Sequence, residues 1–85
     1  MTPMQQTLVE LAHGVNTRAV LSSEADLDRP FRDIGIDSLE VMSVMLAAME
    51  KFDIEIPDAE ADKLHCLNAL GSFVESELAR LDRTV

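Results

Sequence analysis

Apolar residues recur along this chain at helical spacing, and no segment shows the alternation a strand would need. Met4, Leu8, Leu11 and Val15 lie four, three and four positions apart, which predicts a helix over Pro3 to Thr17. Thr2 ahead of Pro3 supplies a cap followed by proline in the first turn. A second helix is predicted from Ser38 to about Phe52, with Leu39, Met42, Leu46 and Met49 along one face. Val41, Val44, Met45 and Ala48 widen its apolar surface well beyond one stripe. Such a helix is packed on two sides, or it also meets a partner. Asp37 is a good N-cap, and Glu40 three positions later is a capping-box partner. The last helix begins near Leu67, capped by Cys66 or His65, with Leu67, Leu70, Val74, Leu78 and Leu81 inward and Phe73 beside them. Gly71 costs about 1 kcal/mol inside a helix, so its presence points to close packing there.

Between these helices the pattern breaks. Residues 18–36 form a long connection in which Ser22-Ser23-Glu24 starts a short turn, while Pro30, Asp33 and Gly35 prevent a continuous helix. A connection of that length exceeds the usual helix-to-helix link and has to be pinned. Leu27, Phe31 and Ile34 are the natural pins. Asp53 to Pro57 reads as a turn or short extended piece, and Pro57-Asp58 starts a short acidic helix through Asp62 or Lys63. The expected fold is all-α: a small four-helix bundle with three main helices, one short helix and a long first loop. Eighty-five residues make a single domain over residues 1–85 with a modest core.

Charge adds a surface to this bundle. Sixteen Asp and Glu oppose seven Lys and Arg, for a formal net charge of -9. Asp33 to Asp62 holds nine of the acidic residues and one lysine. Such a surface repels a nucleic acid backbone and attracts basic patches on proteins, although acidity also serves plain solubility. The N-terminus has no signal-type segment, and the longest strongly apolar stretch, Val44 to Met49, is too short to span a bilayer. A lone cysteine, Cys66, supports no disulfide framework and fits a reducing compartment. The expectation is a soluble, monomeric, cytoplasmic protein with no membrane insertion, and the start at Met1 favours a free chain.

The candidate for chemistry is Ser38, within Gly35-Ile36-Asp37-Ser38-Leu39-Glu40. With Asp37 as the cap, Ser38 falls in the first turn with its hydroxyl near solvent. The unpaired N–H groups of a helix N-terminus suit an attached phosphate there. Gly35 leaves room for another protein to approach. Catalysis by Ser38 is disfavoured: only His13 and His65 offer imidazoles, and the segment lacks the glycine spacing of a nucleophile elbow. No catalytic residue and no metal site are expected. A calcium loop counted from Asp53 has Asp58 where glycine is needed and Leu64 where glutamate is needed. His65 and Cys66 alone fall short of a zinc site, and Cys66 reads as a small buried hydrophobe.

Phe31-Arg32-Asp33-Ile34-Gly35-Ile36-Asp37-Ser38-Leu39-Glu40 closely resembles the attachment-site motif of acyl carrier proteins. Phe52-Asp53-Ile54-Glu55-Ile56-Pro57-Asp58 resembles the stretch after their second helix, and Leu67 through Leu78 their closing helix. The likeness runs from about Leu8 to Leu81. It implies a 4'-phosphopantetheine arm covalently attached to Ser38 by a separate phosphopantetheinyl transferase. It also implies a non-catalytic role, carrying acyl intermediates as thioesters for fatty-acid, polyketide or specialised lipid biosynthesis. The partners implied are acyl-transferring, condensing and modifying enzymes with basic docking patches. Partner recognition then falls to Asp37, Leu39, Glu40, Met45, Glu50, Glu55, Glu60 and Asp62. An acyl pocket between the helices falls to Met42, Leu46, Ile56, Leu64, Leu67 and Leu70. Ser43 and Met49 stand where many fatty-acid carriers have glutamates, so a specialised cargo, or an aminoacyl one, stays open. The residues themselves leave a rival: an unmodified adaptor whose acidic face and exposed Met45 bind a basic partner.

Overall fold

Thr2 and Gln5 exchange the two bonds that start the first helix. The Gln5 amide donates to the Thr2 hydroxyl at 3.1 Å and the Thr2 amide to the Gln5 side chain at 2.8 Å. A computed structural model describes residues 1–82 of the chain. In it α1 (Pro3–Val15) is followed by two short 3₁₀ helices, Glu24–Asp28 and Phe31–Ile34, then α2 (Ser38–Phe52), α3 (Asp58–Ala61) and α4 (Leu67–Arg80). The described residues therefore form the all-α bundle that the periodicity predicts, with three main helices and one short one.

The ends differ from the prediction at two places. Helix α1 stops at Val15 rather than Thr17, because the Asn16 backbone turns extended and its side chain bonds outside the helix. Helix α3 is confined to Asp58–Ala61. The chain then folds back, with the Leu64 amide on the Ala61 carbonyl at 3.1 Å, and this buries Leu64. The start of α4 is as predicted: the Cys66 sulfur accepts from the Ala69 amide at 3.4 Å.

The core lies where α1, α2 and α4 meet. Helix α1 packs on both α2 and α4, which also touch each other. Gly71 packs against α1: a Cβ built there would meet Leu8 Cδ1 at 3.0 Å and Met4 Cγ at 3.5 Å. A larger residue there would require the Leu8 side chain to shift, which accounts for a small residue in the middle of α4.

The long connection is part of this core. Leu27 and Ile34 are fully buried, as is most of Phe31, and Leu21 and Ile36 join them. Each such burial contributes about 2 kcal/mol by area. The backbone is tied down as well, with Val20 N–H on the Ile34 carbonyl at 2.9 Å and Phe31 N–H on the His65 carbonyl at 3.0 Å. Asp26 organises the first 3₁₀ helix. Its carboxylate accepts the Ser22 and Ser23 amides at 3.0 and 3.1 Å and the Arg29 guanidinium at 3.2 Å. Arg29 also donates to the Asp33 carbonyl at 2.8 Å, which joins the two 3₁₀ helices.

The Arg29 guanidinium, helped by the serine donors and opposed by burial, holds the Asp26 carboxyl below its ordinary value of 3.8. A depressed carboxyl stabilises the fold above its unfolded value, and that contribution disappears as pH falls through the lower folded value. Below pH 3.8 the connection should therefore loosen as Asp26 protonates. Arg29→Ala should move the Asp26 titration, followed by carboxyl NMR shifts, back toward the ordinary range. An unchanged titration would remove Arg29 as the principal cause.

Candidate functional site

Asp37 and Glu40 make the cap of α2 and leave the Ser38 hydroxyl between them unused. Asp37 Oδ1 accepts the Glu40 amide at 2.8 Å, and Glu40 Oε1 accepts the Asp37 amide at 3.0 Å. Ser38 is the first residue of the helix, exposed, and its hydroxyl takes no part in this box. Gly35 precedes it with φ +92°, a left-handed conformation that side chains resist, and so ends the second 3₁₀ helix abruptly. That sharp turn brings Ser38 out to solvent two residues after buried Ile36.

Beside Ser38 runs a groove of about 640 Å³ between α2 and the α3 region. Its apolar walls are Phe31, Ile36, Val41, Met42, Met45 and Leu64, with Arg32, Asp62 and His65 at polar edges. A group attached to the Ser38 hydroxyl can therefore lie along apolar surface or swing into water. The arrangement offers a handle and a bed for a chain. Among the described residues no group of three or more His, Cys, Asp or Glu is placed to hold a metal ion. None of the described helices is long and apolar enough to cross a membrane.

Of the two apolar faces that the pattern gives α2, one is buried and the other turns outward. Val44, Met45 and Ala48 point inward and are buried, while Leu39, Met42 and Leu46 form an outward stripe with exposures of 75%, 62% and 55%. Both stripes are apolar at helical spacing, but the inner one carries the smaller Val44 and Ala48, which allow the closer approach of neighbouring helices.

This face choice corrects individual expectations. Met45 is only 7% exposed and forms part of the groove wall, so the exposed Met45 expected for an adaptor is not present. Leu46 faces solvent, away from the groove. Of the residues expected around an acyl chain, Met42 and Leu64 line the groove, while Ile56, Leu67 and Leu70 lie in the core beyond its lining. The acidic residues are spread over the surface: Asp37, Glu50, Glu55 and Asp62 are exposed, and Glu40 and Glu60 are half-buried. Glu60 faces Lys63 at 3.7 Å. Phe31, Ile36, Val41, Ala61 and His65 line the groove without having been assigned to it from sequence. Val41 had a signal, since it stands three positions after Ser38 on the same side of the helix. His65 had none, because its place depends on the chain returning to the second 3₁₀ helix.

Residues 6–74 match the family described as "Phosphopantetheine attachment site". The chain is similar to the acyl carrier protein of Arthrobacter sp. (strain FB24), 36% identical over 81 residues, 93% of this chain and 100% of the relative. It is 35% identical over 81 residues to the acyl carrier protein of Kocuria rhizophila, with the same coverage of 93% and 100%. A shorter match, 44% over 43 residues, covers 51% of this chain and 56% of the acyl carrier protein of Campylobacter concisus.

The division of labour at the start of α2 has a measurable consequence. Asp37→Ala should lower stability to urea by about 1 kcal/mol, the ordinary worth of such a cap. Ser38→Ala, which touches neither bond of the box, should leave the unfolding midpoint in place. Equal losses in the two variants would show that Ser38 shares the capping role.

Proposed function

Because the chain belongs to the acyl carrier protein family, we propose that Ser38 is the residue that bears a 4'-phosphopantetheine arm. The observation that carries this reading is the placement of Ser38: exposed, first in α2, free of the capping box and beside an apolar groove. The group fits the residues present. A hydroxyl on the surface gives a transferase access, the α2 N-terminus favours an anion at its first turn, and the groove matches a chain with apolar parts. When bound, the arm supplies a terminal thiol on which acyl groups are carried as thioesters. The chain's own residues hold the serine outward and shelter part of the cargo from water along Phe31, Val41, Met42 and Leu64.

In this reading the chain catalyses nothing. It works as a single cytoplasmic domain, the substrate of a phosphopantetheinyl transferase and the shuttle for acyl-transferring, condensing and modifying enzymes. Tethering the cargo raises its effective concentration at each partner's active site. Partners meet the outward stripe of Leu39, Met42 and Leu46, and the exposed carboxylates of Asp37, Glu50, Glu55 and Asp62 add negative field. Single exposed ion pairs there contribute little, so the summed negative field acts mainly on the rate of encounter. The uncharged stretch from Val41 to Met49 within α2 favours partners whose docking patch is apolar at its centre, as a dedicated lipid or polyketide pathway would provide.

Incubation with a broad-specificity phosphopantetheinyl transferase, magnesium and coenzyme A should add the mass of one arm, mapped to the peptide holding Ser38. Ser38→Ala should gain nothing. If the wild-type chain gains no mass from its cognate transferase while a control carrier is loaded, attachment at Ser38 is refuted.

The groove is tested separately. Val41→Phe narrows it beside the serine, so thermal stabilisation by an octanoyl cargo relative to an acetyl one should fall. An unchanged difference between the two cargoes would move the acyl chain elsewhere.

A further inference from the structure

Asn16 ends α1, yet its side chain reaches across to the start of α2. Its Nδ2 donates to the Gly35 carbonyl at 2.9 Å and to Glu40 Oε1 at 3.3 Å. Its Oδ1 accepts the Arg18 amide at 2.9 Å, which fixes which way the amide faces. A primary amide has two N–H donors, and here each has one acceptor. Those acceptors stand on either side of Ser38, with Gly35 three residues before it and Glu40 two residues after. Glu40 Oε1 is also the atom that accepts the Asp37 amide. One side chain from another helix thus grips both flanks of the serine and the capping box between them.

The grip matters because of what it holds. Gly35 has the widest backbone freedom of any residue, and it immediately precedes Ile36-Asp37-Ser38. Its left-handed conformation is held at its carbonyl by Asn16 and at its amide by the Arg32 carbonyl, at 3.2 Å. Without the Asn16 bond, a transferase would have to order this segment at each encounter, which lowers the rate of productive binding. Aspartate at this position would keep the Arg18 bond but set a carboxylate against the Gly35 carbonyl and the Glu40 carboxylate. Alanine would merely leave both acceptors to water.

We propose that Asn16 is a positioning residue for the reaction at Ser38, holding the Gly35–Glu40 segment in the shape that a phosphopantetheinyl transferase recognises. The proposal rests on the reading of Ser38 as the attachment site. Its structural part, the local ordering of the segment, can be measured without any transferase.

The test pairs loading kinetics with amide hydrogen exchange on the wild type, Asn16→Ala and Asn16→Asp. Loss of one net hydrogen bond corresponds to about fivefold in an equilibrium, so kcat/KM for loading Ser38 should fall about fivefold in Asn16→Ala. It should fall further in Asn16→Asp, mainly through KM. The Asp37 and Glu40 amides should exchange faster in both variants, while the core amides of Leu70 and Val74 keep the wild-type rate. Wild-type kcat/KM in both variants overturns the proposal. So does equal acceleration at Leu70 and Val74, which would make Asn16 a general stabiliser. If the wild type itself is not loaded at Ser38, the proposed attachment fails. The ordering role is then decided by exchange alone: unchanged Asp37 and Glu40 amides end it, and faster ones uphold it.

Discussion

Burial of the first connection is the constraint on which this fold depends. The three main helices, of 13 to 15 residues, do not make up the core by themselves. The connection supplies the remainder through Leu21, Leu27, Phe31, Ile34 and Ile36, all buried. Once those side chains are in the core, the backbone between them has little room to move. Its polar groups must be paired locally, and Asp26, Arg29 and the His65 carbonyl provide much of that pairing. A segment with the irregular shape of a loop therefore forms part of the core and of the groove wall. The position of Ser38 follows from it, because the serine comes two residues after the last of the pins.

The second helix shows where pattern reading stops. Its boundaries, its cap and its apolar content were all legible, since Asp37, Glu40 and the helical spacing are local signals. Which of two apolar stripes faces inward was not. That choice is made by the fit of Val44 and Ala48 against neighbouring helices, and fit is a property of the packed assembly. The same uncertainty explains Met45, which reads as surface on one assignment and forms a groove wall on the other.

For the candidate site, the serine was legible and its surroundings only partly so. Gly35, Asp37 and Glu40 lie within a few residues of Ser38, so local rules recover them. Met42 and Val41 follow from helical periodicity. His65, Ala61 and Asn16 come from distant parts of the chain, and no short-range signal brings them to the serine. The ends of α1 and α3 fall one or two residues short of the predicted ones for a related reason. Asn16 leaves its helix to serve a neighbouring element, and Leu64 pulls the chain back toward the core.

The outward stripe on α2 carries a colloidal consequence. Leu39, Met42 and Leu46 expose contiguous oily surface on a small protein, a feature that ordinarily promotes self-association. Two copies meeting stripe to stripe would also bring together chains that each carry a net charge of -9. The like charges keep such pairs apart at moderate ionic strength, while a cationic surface meets no such barrier. The acidic excess thus acts as a guard against homotypic sticking, and the guard weakens in concentrated salt, where charges are screened within about 3 Å at 1 M.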